Sequence, residues 1–212
     1  MIKENFYGEN IDELFSFFKI NISGVLHVGA HKCEELDIYL KYTNKDNILW
    51  LEAIPSMIEQ NLKINPDLNI IQAVVSDVDN QDVEFKITNL TNCSSILDLN
   101  YHKEIHPHVE VIDVLNLKTK TLKTILTENK IENKYNTLVL DIQGAELMAL
   151  KGLSDLINNF DTIYTEVNEE ELYTGCCKLE ELDTYLNSCG FKRKYINTLN
   201  GYGNALYQRI SK

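Results

Sequence analysis

Residues 24–35 read GVLHVGAHKCEE: a short apolar run ends in Gly29-Ala30 and passes at once into a charged stretch. Val25 to Val28 has the length of a buried strand, and HKCEELDIYLKYT predicts a helix with Leu36, Tyr39 and Leu40 turned inward. Small residues between a strand and a helix have two readings. One is a plain tight turn; the other is a place where a ligand must approach the backbone closely.

Working outward, NILWLEA gives a second strand, closed by Pro55, which suits the first turn of the helix PSMIEQNLKIN. LNIIQAVVSD gives a third strand. Upstream, NIDELFSFFKIN places Ile11, Leu14, Phe15 and Phe18 at helical spacing, with Asn10 as cap and Glu13 as its capping-box partner. A helix followed by β-α-β-α-β implies a parallel sheet covered on both faces. The middle breaks this rhythm. QDVEFKITN alternates like a half-exposed strand, and the polar, irregular residues that follow make 88–118 a candidate substrate-binding insertion, or equally a surface excursion. Order returns with LKTILTENK (helix), NTLVLDI (buried strand), AELMALKGL (helix), FDTIYTEVN (strand) and CKLEELDTYLNSCG, a helix stopped by Gly190. FKRKYIN and YGNALYQRIS then form a closing antiparallel hairpin. The expectation is one α/β, doubly wound domain over residues 1–212, opened by an N-terminal helical segment in 1–22.

Composition narrows the partners. The net charge of −12 would repel a phosphate backbone, so nucleic acid is not expected as a partner. The basic cluster FKRKY reads as a solvated strand edge. Five cysteines without CxxC spacing argue against a disulfide framework and a zinc site. No stretch approaches the roughly 20 apolar residues of a membrane span, and the charged start lacks a signal-peptide core. A cytoplasmic protein is expected.

Open α/β sheets bind ligands beyond the carboxyl ends of their strands. Here those ends carry His27 to His31, Glu52, and Asp141 just before Gly144-Ala145-Glu146. Glu52 follows the Gly-Ala turn by roughly twenty residues, the place from which a carboxylate accepts ribose hydroxyls. Amides after Ala30 would favour an anionic group at a helix start. A dinucleotide pyrophosphate wants G-x-G-x-x-G, whereas HVGAHKC has one glycine; this favours S-adenosylmethionine over NAD.

VLHVGAHKCEE, WLEAIP, AVVSD, NCSSIL, LVLDIQGAELMALKGL and IYTEVN, in that order, resemble the FkbM family of S-adenosylmethionine-dependent methyltransferases. The resemblance implies a Rossmann-like class I methyltransferase fold, with a seven-stranded, mostly parallel sheet and a C-terminal antiparallel hairpin. It also implies O-methylation, often of a sugar hydroxyl. Carried onto this sequence, it implies that His27, Gly29, Ala30, His31 and Glu34 border the methionine part of the cofactor. Glu52 and Ala53 would meet the ribose, Ser76 and Asp77 would lie by the adenine, and Asp141 would stand at the methyl-transfer point. Ser94, Ser95, Glu146, Glu166 and Asn168 are the implied substrate contacts. The family has an acidic residue at the position of His27, a glycine at that of Cys33 and a glutamate at that of Gln143.

A sugar hydroxyl is a weak nucleophile that a general base assists. Asp141 is the first candidate, with Glu166 near it and His102, His106 or His108 of the insertion as alternatives. No essential metal is expected. The leading expectation is therefore an O-methyltransferase acting on a carbohydrate or glycoconjugate, as a monomer or homodimer. The rivals are methylation of another small hydroxylated metabolite and a non-catalytic cofactor-binding module in a glycan-modifying complex.

Overall fold

The computed structural model describes residues 10–210. The N-terminal segment read as helical therefore lies outside the described residues up to residue 9. Helix α1 (Ile11–Phe17) opens the described chain; the Asn10 side chain caps it by accepting the Glu13 amide at 3.1 Å. Strand β1 (Val25–Val28) then enters the centre of the molecule and is buried throughout.

The helix expected next shrinks to one turn, α2 (Leu36–Tyr39). His31 and Cys33 both adopt left-handed backbone conformations (φ 43° and 53°), which break any helix started at residue 31. Tyr39 is fully buried as expected, but Leu40 is 44% exposed, so it does not face inward. Strand β2 (Ile48–Glu52) and helix α3 (Pro55–Ile64), with Pro55 in its first turn, follow as read.

The expected third strand divides at Ala73. Strand β3 (Ile70–Gln72) edges the main sheet beside β2, whereas β4 (Val74–Val75) leaves to join a second sheet. There it pairs in parallel with β6 (Val111–Lys120), which also pairs antiparallel with β5 (Asp82–Thr88). The 88–118 stretch is thus not irregular at its end: residues 111–118 extend as the first eight of β6. Its Leu115 and Leu117 alternate to pack beside Phe85, Val74 and Met57. Between β5 and β6 lie a 3-10 turn (Thr91–Cys93) and a single-turn helix α4 (His102–Ile105).

Helix α5 (Leu122–Glu128), strand β7 (Thr137–Leu140), helix α6 (Glu146–Leu153), strand β8 (Thr162–Asn168) and helix α7 (Leu179–Ser188) complete the parallel part. Strands β9 (Phe191–Leu199) and β10 (Tyr202–Arg209) form the hairpin, and β10 inserts between β8 and β9. The main sheet has seven strands in the order β3-β2-β1-β7-β8-β10-β9. The basic FKRKY residues lie on its outer strand, where Lys192 and Lys194 are exposed.

Burial of both faces explains the apolar strands. Leu26, Val28, Leu138 and Leu140 pack with Leu122, Ile125, Leu150 and Leu186 from α5, α6 and α7. On the other face Val25, Trp50, Val139 and Leu206 meet Phe15 of α1 and Tyr39 of α2. Burying each such side chain contributes roughly 1.5–3 kcal/mol. No helix among the described residues is long and apolar enough to cross a membrane.

Candidate active site

The strand order reverses between β1 and β7, and a cleft opens beyond their carboxyl ends. It encloses about 970 Å³ of empty space, counting its open mouth. The turns after β1, β2 and β7 form its floor, β4 and Phe85 of β5 one wall, and Thr91, Asn92, Ser94 and Ile96 a rim.

At the floor Gly29 has φ +90°, and a Cβ there would stand 1.8 Å from the Asp141 carbonyl oxygen. The backbone that follows β7 therefore requires glycine here, whatever the cleft holds. The Gly29 and Ala30 amides both bond the Leu51 carbonyl, at 2.9 and 3.0 Å. The His31 amide donates to Glu52 Oε2 at 2.7 Å and the Lys32 amide to Glu34 Oε2 at 3.1 Å. The anion site expected at a helix start here is thus absent: the amides are already satisfied, and no helix begins until Leu36.

Glu52 is held from two sides, since its Oε1 also accepts the Ile54 amide at 2.9 Å. Burial raises its pKa while these backbone donors oppose the rise. The carboxylate is fixed at the end of β2 and lines the cleft, as does Ala53. The His31 ring is fixed too, by Glu34 Oε1 and Thr91 Oγ1, each at 3.0 Å. His27 is buried, stacked on Trp50 at 4.7 Å, with the Tyr39 hydroxyl 2.9 Å from its Nδ1. Burial pushes its pKa down to about 4, so the ring is neutral at pH 7.

After β7, Gln143 takes a left-handed conformation (φ 54°) that returns its carboxamide toward the strand end. Its Nε2 donates to Asp141 Oδ1 at 2.6 Å and to Glu166 Oε2 at 2.9 Å, and its Oε1 accepts the Tyr173 hydroxyl at 2.6 Å. Asp141 is open to the cleft although it lies deep in the fold; desolvation raises its pKa, with Gln143 opposing. Glu166 is raised well above the carboxylate range by burial and by Asp141. One amide thus links two carboxyl groups at the ends of neighbouring strands.

Several residues expected in the site lie outside the cleft lining. Glu146 is 1% exposed and turned into its own loop, where Oε1 accepts the Ile142 and Gly144 amides at 3.1 Å each; burial raises its pKa to about 7. Ser95 supports the same loop by donating to the Gln143 carbonyl at 2.8 Å, whereas Ser94 does line the cleft. Ser76 turns away: its amide bonds the Lys120 carbonyl, its own carbonyl packs on Gly152 of α6, and its hydroxyl bonds Asp77. Apolar Ile54, Val74, Val75 and Phe85 occupy that wall instead. His102 is buried between the rings of Tyr173 and His106, and His106 reaches the Tyr202 hydroxyl at 3.1 Å. His108 packs edge-on against His106. Asn168, the last residue of β8, is 1% exposed and outside the lining.

The structure adds Glu35, Phe85, Thr91, Asn92 and Gln143 to the cleft. Glu35 had a signal in the adjacent acid pair of KCEE; Phe85 had none, because only the fold brings β5 to this wall. Glu34, Glu35, Glu52 and Asp141 give the lining four carboxylates, and it contains no Lys or Arg. Such a site suits a cationic ligand with an apolar ring system and hydroxyls. S-adenosylmethionine, with its sulfonium, ammonium, ribose and adenine, fits that description. Among the described residues, no group of three or more His, Cys, Asp or Glu is placed to hold a metal ion.

The sheet order and the cleft at its switch point define a Rossmann-like class I methyltransferase fold. The family profile described as "Methyltransferase FkbM domain" matches residues 27–193, so the chain belongs to the FkbM methyltransferase family and to the S-adenosylmethionine-dependent class. Among curated proteins, none matches this chain. Solved structures share the fold at low identity. The methyltransferase domain of the bacterial CtHen1-C is 10% identical, with a TM-score of 0.50, covering 95% of this chain and 95% of that one. A candidate caffeoyl-CoA O-methyltransferase from Staphylococcus aureus is 13% identical, with a TM-score of 0.50, covering 94% and 80%. Sp1610 of Streptococcus pneumoniae, a candidate tRNA (m1A22) methyltransferase in complex with S-adenosyl-L-methionine, is 11% identical, with a TM-score of 0.48, covering 93% and 71%.

Proposed function

We propose that the protein is an O-methyltransferase acting on a sugar hydroxyl of a glycan or glycoconjugate. The observation that carries this reading is Asp141, a carboxyl group open to the cleft and tied through Gln143 to Glu166. That arrangement supplies a proton acceptor beside the floor of the cofactor cleft. The choice of a carbohydrate rests on the family resemblance and on the polar rim of Thr91, Asn92 and Ser94.

When bound, S-adenosylmethionine supplies an electrophilic methyl group on a positively charged sulfur. The protein's part is to orient and to move a proton. Glu52 would accept hydrogen bonds from the ribose hydroxyls, with Ala53 beside them. Ile54, Val74, Val75 and Phe85 would enclose the adenine, Gly29, Ala30, His31 and Glu34 would border the methionine chain, and Ser94 would meet the acceptor. Asp141 would accept the proton released by the acceptor hydroxyl. Glu166 and Gln143 set the charge and position of Asp141. The same reading places the enzyme in the cytoplasm as a monomer or homodimer.

The test is transfer of a labelled methyl group from S-adenosylmethionine to a panel of nucleotide sugars and oligosaccharides, with and without EDTA. Label in an alkali-stable ether on a sugar, undiminished by EDTA, is expected. Transfer only to non-sugar hydroxyl compounds would replace the substrate class. No transfer to any acceptor by a protein that binds S-adenosylhomocysteine would favour the cofactor-binding module.

A further inference from the structure

The cleft offers four carboxylates, but they are not equally free. Both oxygens of Glu52 hold backbone amides, and both oxygens of Glu34 hold His31 Nδ1 or the Lys32 amide. Asp141 Oδ1 accepts from Gln143. Glu35 alone receives no hydrogen bond from another residue among those described. His27 Nδ1 lies 3.9 Å from its Oε2. That ring is uncharged and engaged with Tyr39, so it does not neutralise Glu35. The Glu35 side chain is 35% exposed and lines the same end of the cleft as His27, Gly29 and Ala30.

An ammonium group entering this end needs an anionic partner, because a buried cation without one is costly, and Glu35 is the lining carboxylate with the fewest donors already on its oxygens. No neutral imidazole supplies that charge. Resting on the reading of S-adenosylmethionine as cofactor, we propose that Glu35, which lines the cleft beside His27 and carries no hydrogen bond from another described residue, binds the α-ammonium group of its methionine part. The left-handed residues His31 and Cys33 keep the KCEE segment from continuing as a helix, and Glu35 lines the cleft within it. The specificity of the site for the amino-acid end of the cofactor thus comes from the turn after β1.

The experiment is calorimetric titration of the full chain and its Glu35→Gln variant with two ligands, S-adenosylhomocysteine and 5′-methylthioadenosine. The second keeps the adenosine and thioether but lacks the amino-acid part. Glu35→Gln should weaken S-adenosylhomocysteine at least about tenfold and leave 5′-methylthioadenosine within about twofold, because only the charge-assisted contact is lost. Glu34→Gln, whose carboxylate is already engaged within the loop, should disturb the preference for S-adenosylhomocysteine far less. Unchanged binding of S-adenosylhomocysteine by Glu35→Gln would overturn the proposal. So would an equal loss of both ligands, which would make Glu35 a residue that shapes the cleft rather than one that meets the ammonium. Failure of the unaltered protein to bind either ligand would instead overturn the cofactor reading itself.

Discussion

Replacing Asp141 with Asn should lower kcat by about 10²–10⁴-fold, the usual contribution of a positioned general base, while S-adenosylhomocysteine still binds. Asn has the shape of Asp, and its carboxamide oxygen can accept the same Gln143 Nε2 hydrogen bond that Asp141 Oδ1 accepts at 2.6 Å. The bridge to Glu166 and the loop after β7 are therefore preserved. What is lost is the ability to take a proton. The pKa of Asp141, raised by desolvation with Gln143 opposing, fits the role, since a raised pKa makes its carboxylate a stronger base than an ordinary aspartate. Single-turnover methyl transfer beside calorimetric binding separates the outcomes. Undiminished turnover would remove Asp141 from proton transfer, and loss of binding in proportion to turnover would make it a cofactor contact instead.

Gly29→Ala should unfold or nearly unfold the protein. The added Cβ would lie 1.8 Å from the Asp141 carbonyl oxygen and 2.8 Å from its carbon, both rigid backbone atoms at the centre of the sheet. The residue must also keep φ +90°, which alone costs an L-residue of order 1–3 kcal/mol. Overpacking adds typically another 1–3 kcal/mol. A total of roughly 2–6 kcal/mol is a large part of the 5–15 kcal/mol that holds a domain folded. Urea denaturation followed by circular dichroism reads this directly. A variant within about 1 kcal/mol of the parent would show that the backbones after β1 and β7 do not approach so closely.

Much of this architecture was legible because it rests on periodicity and on punctuation by Pro and Gly. The buried strands β1, β2, β7 and β8, the Pro55 helix and the closing hairpin announced themselves by short apolar runs between such signals. The failures share a cause: the deciding contact lay far along the chain. Ala73 ends β3 because β4 is drawn to β6, more than forty residues later, and no local pattern marks that division. Residues 111–120 carry the alternation of Leu115, Leu117 and Thr119, yet they follow a polar loop that hid it. The turn after β1 reads as helical because Leu36 and Tyr39 are suitably spaced; left-handed His31 and Cys33 override that spacing. In the cleft, strand ends pointed to Glu52 and Asp141, which the fold brings to one floor. Glu146 and Ser95 looked equally polar in sequence, but the loop after β7 consumes them as its own supports.

The central claim is that the cleft beyond β1, β2 and β7 holds S-adenosylmethionine with Glu52 on the ribose. Calorimetric titration of the purified protein with S-adenosylhomocysteine, beside Glu52→Ala, tests it most directly. The account predicts saturable one-to-one binding to the unaltered protein and an affinity at least about tenfold weaker in the variant, as expected for losing a charged hydrogen-bond acceptor. No saturable binding to the unaltered protein, or equal affinity in Glu52→Ala, would contradict it.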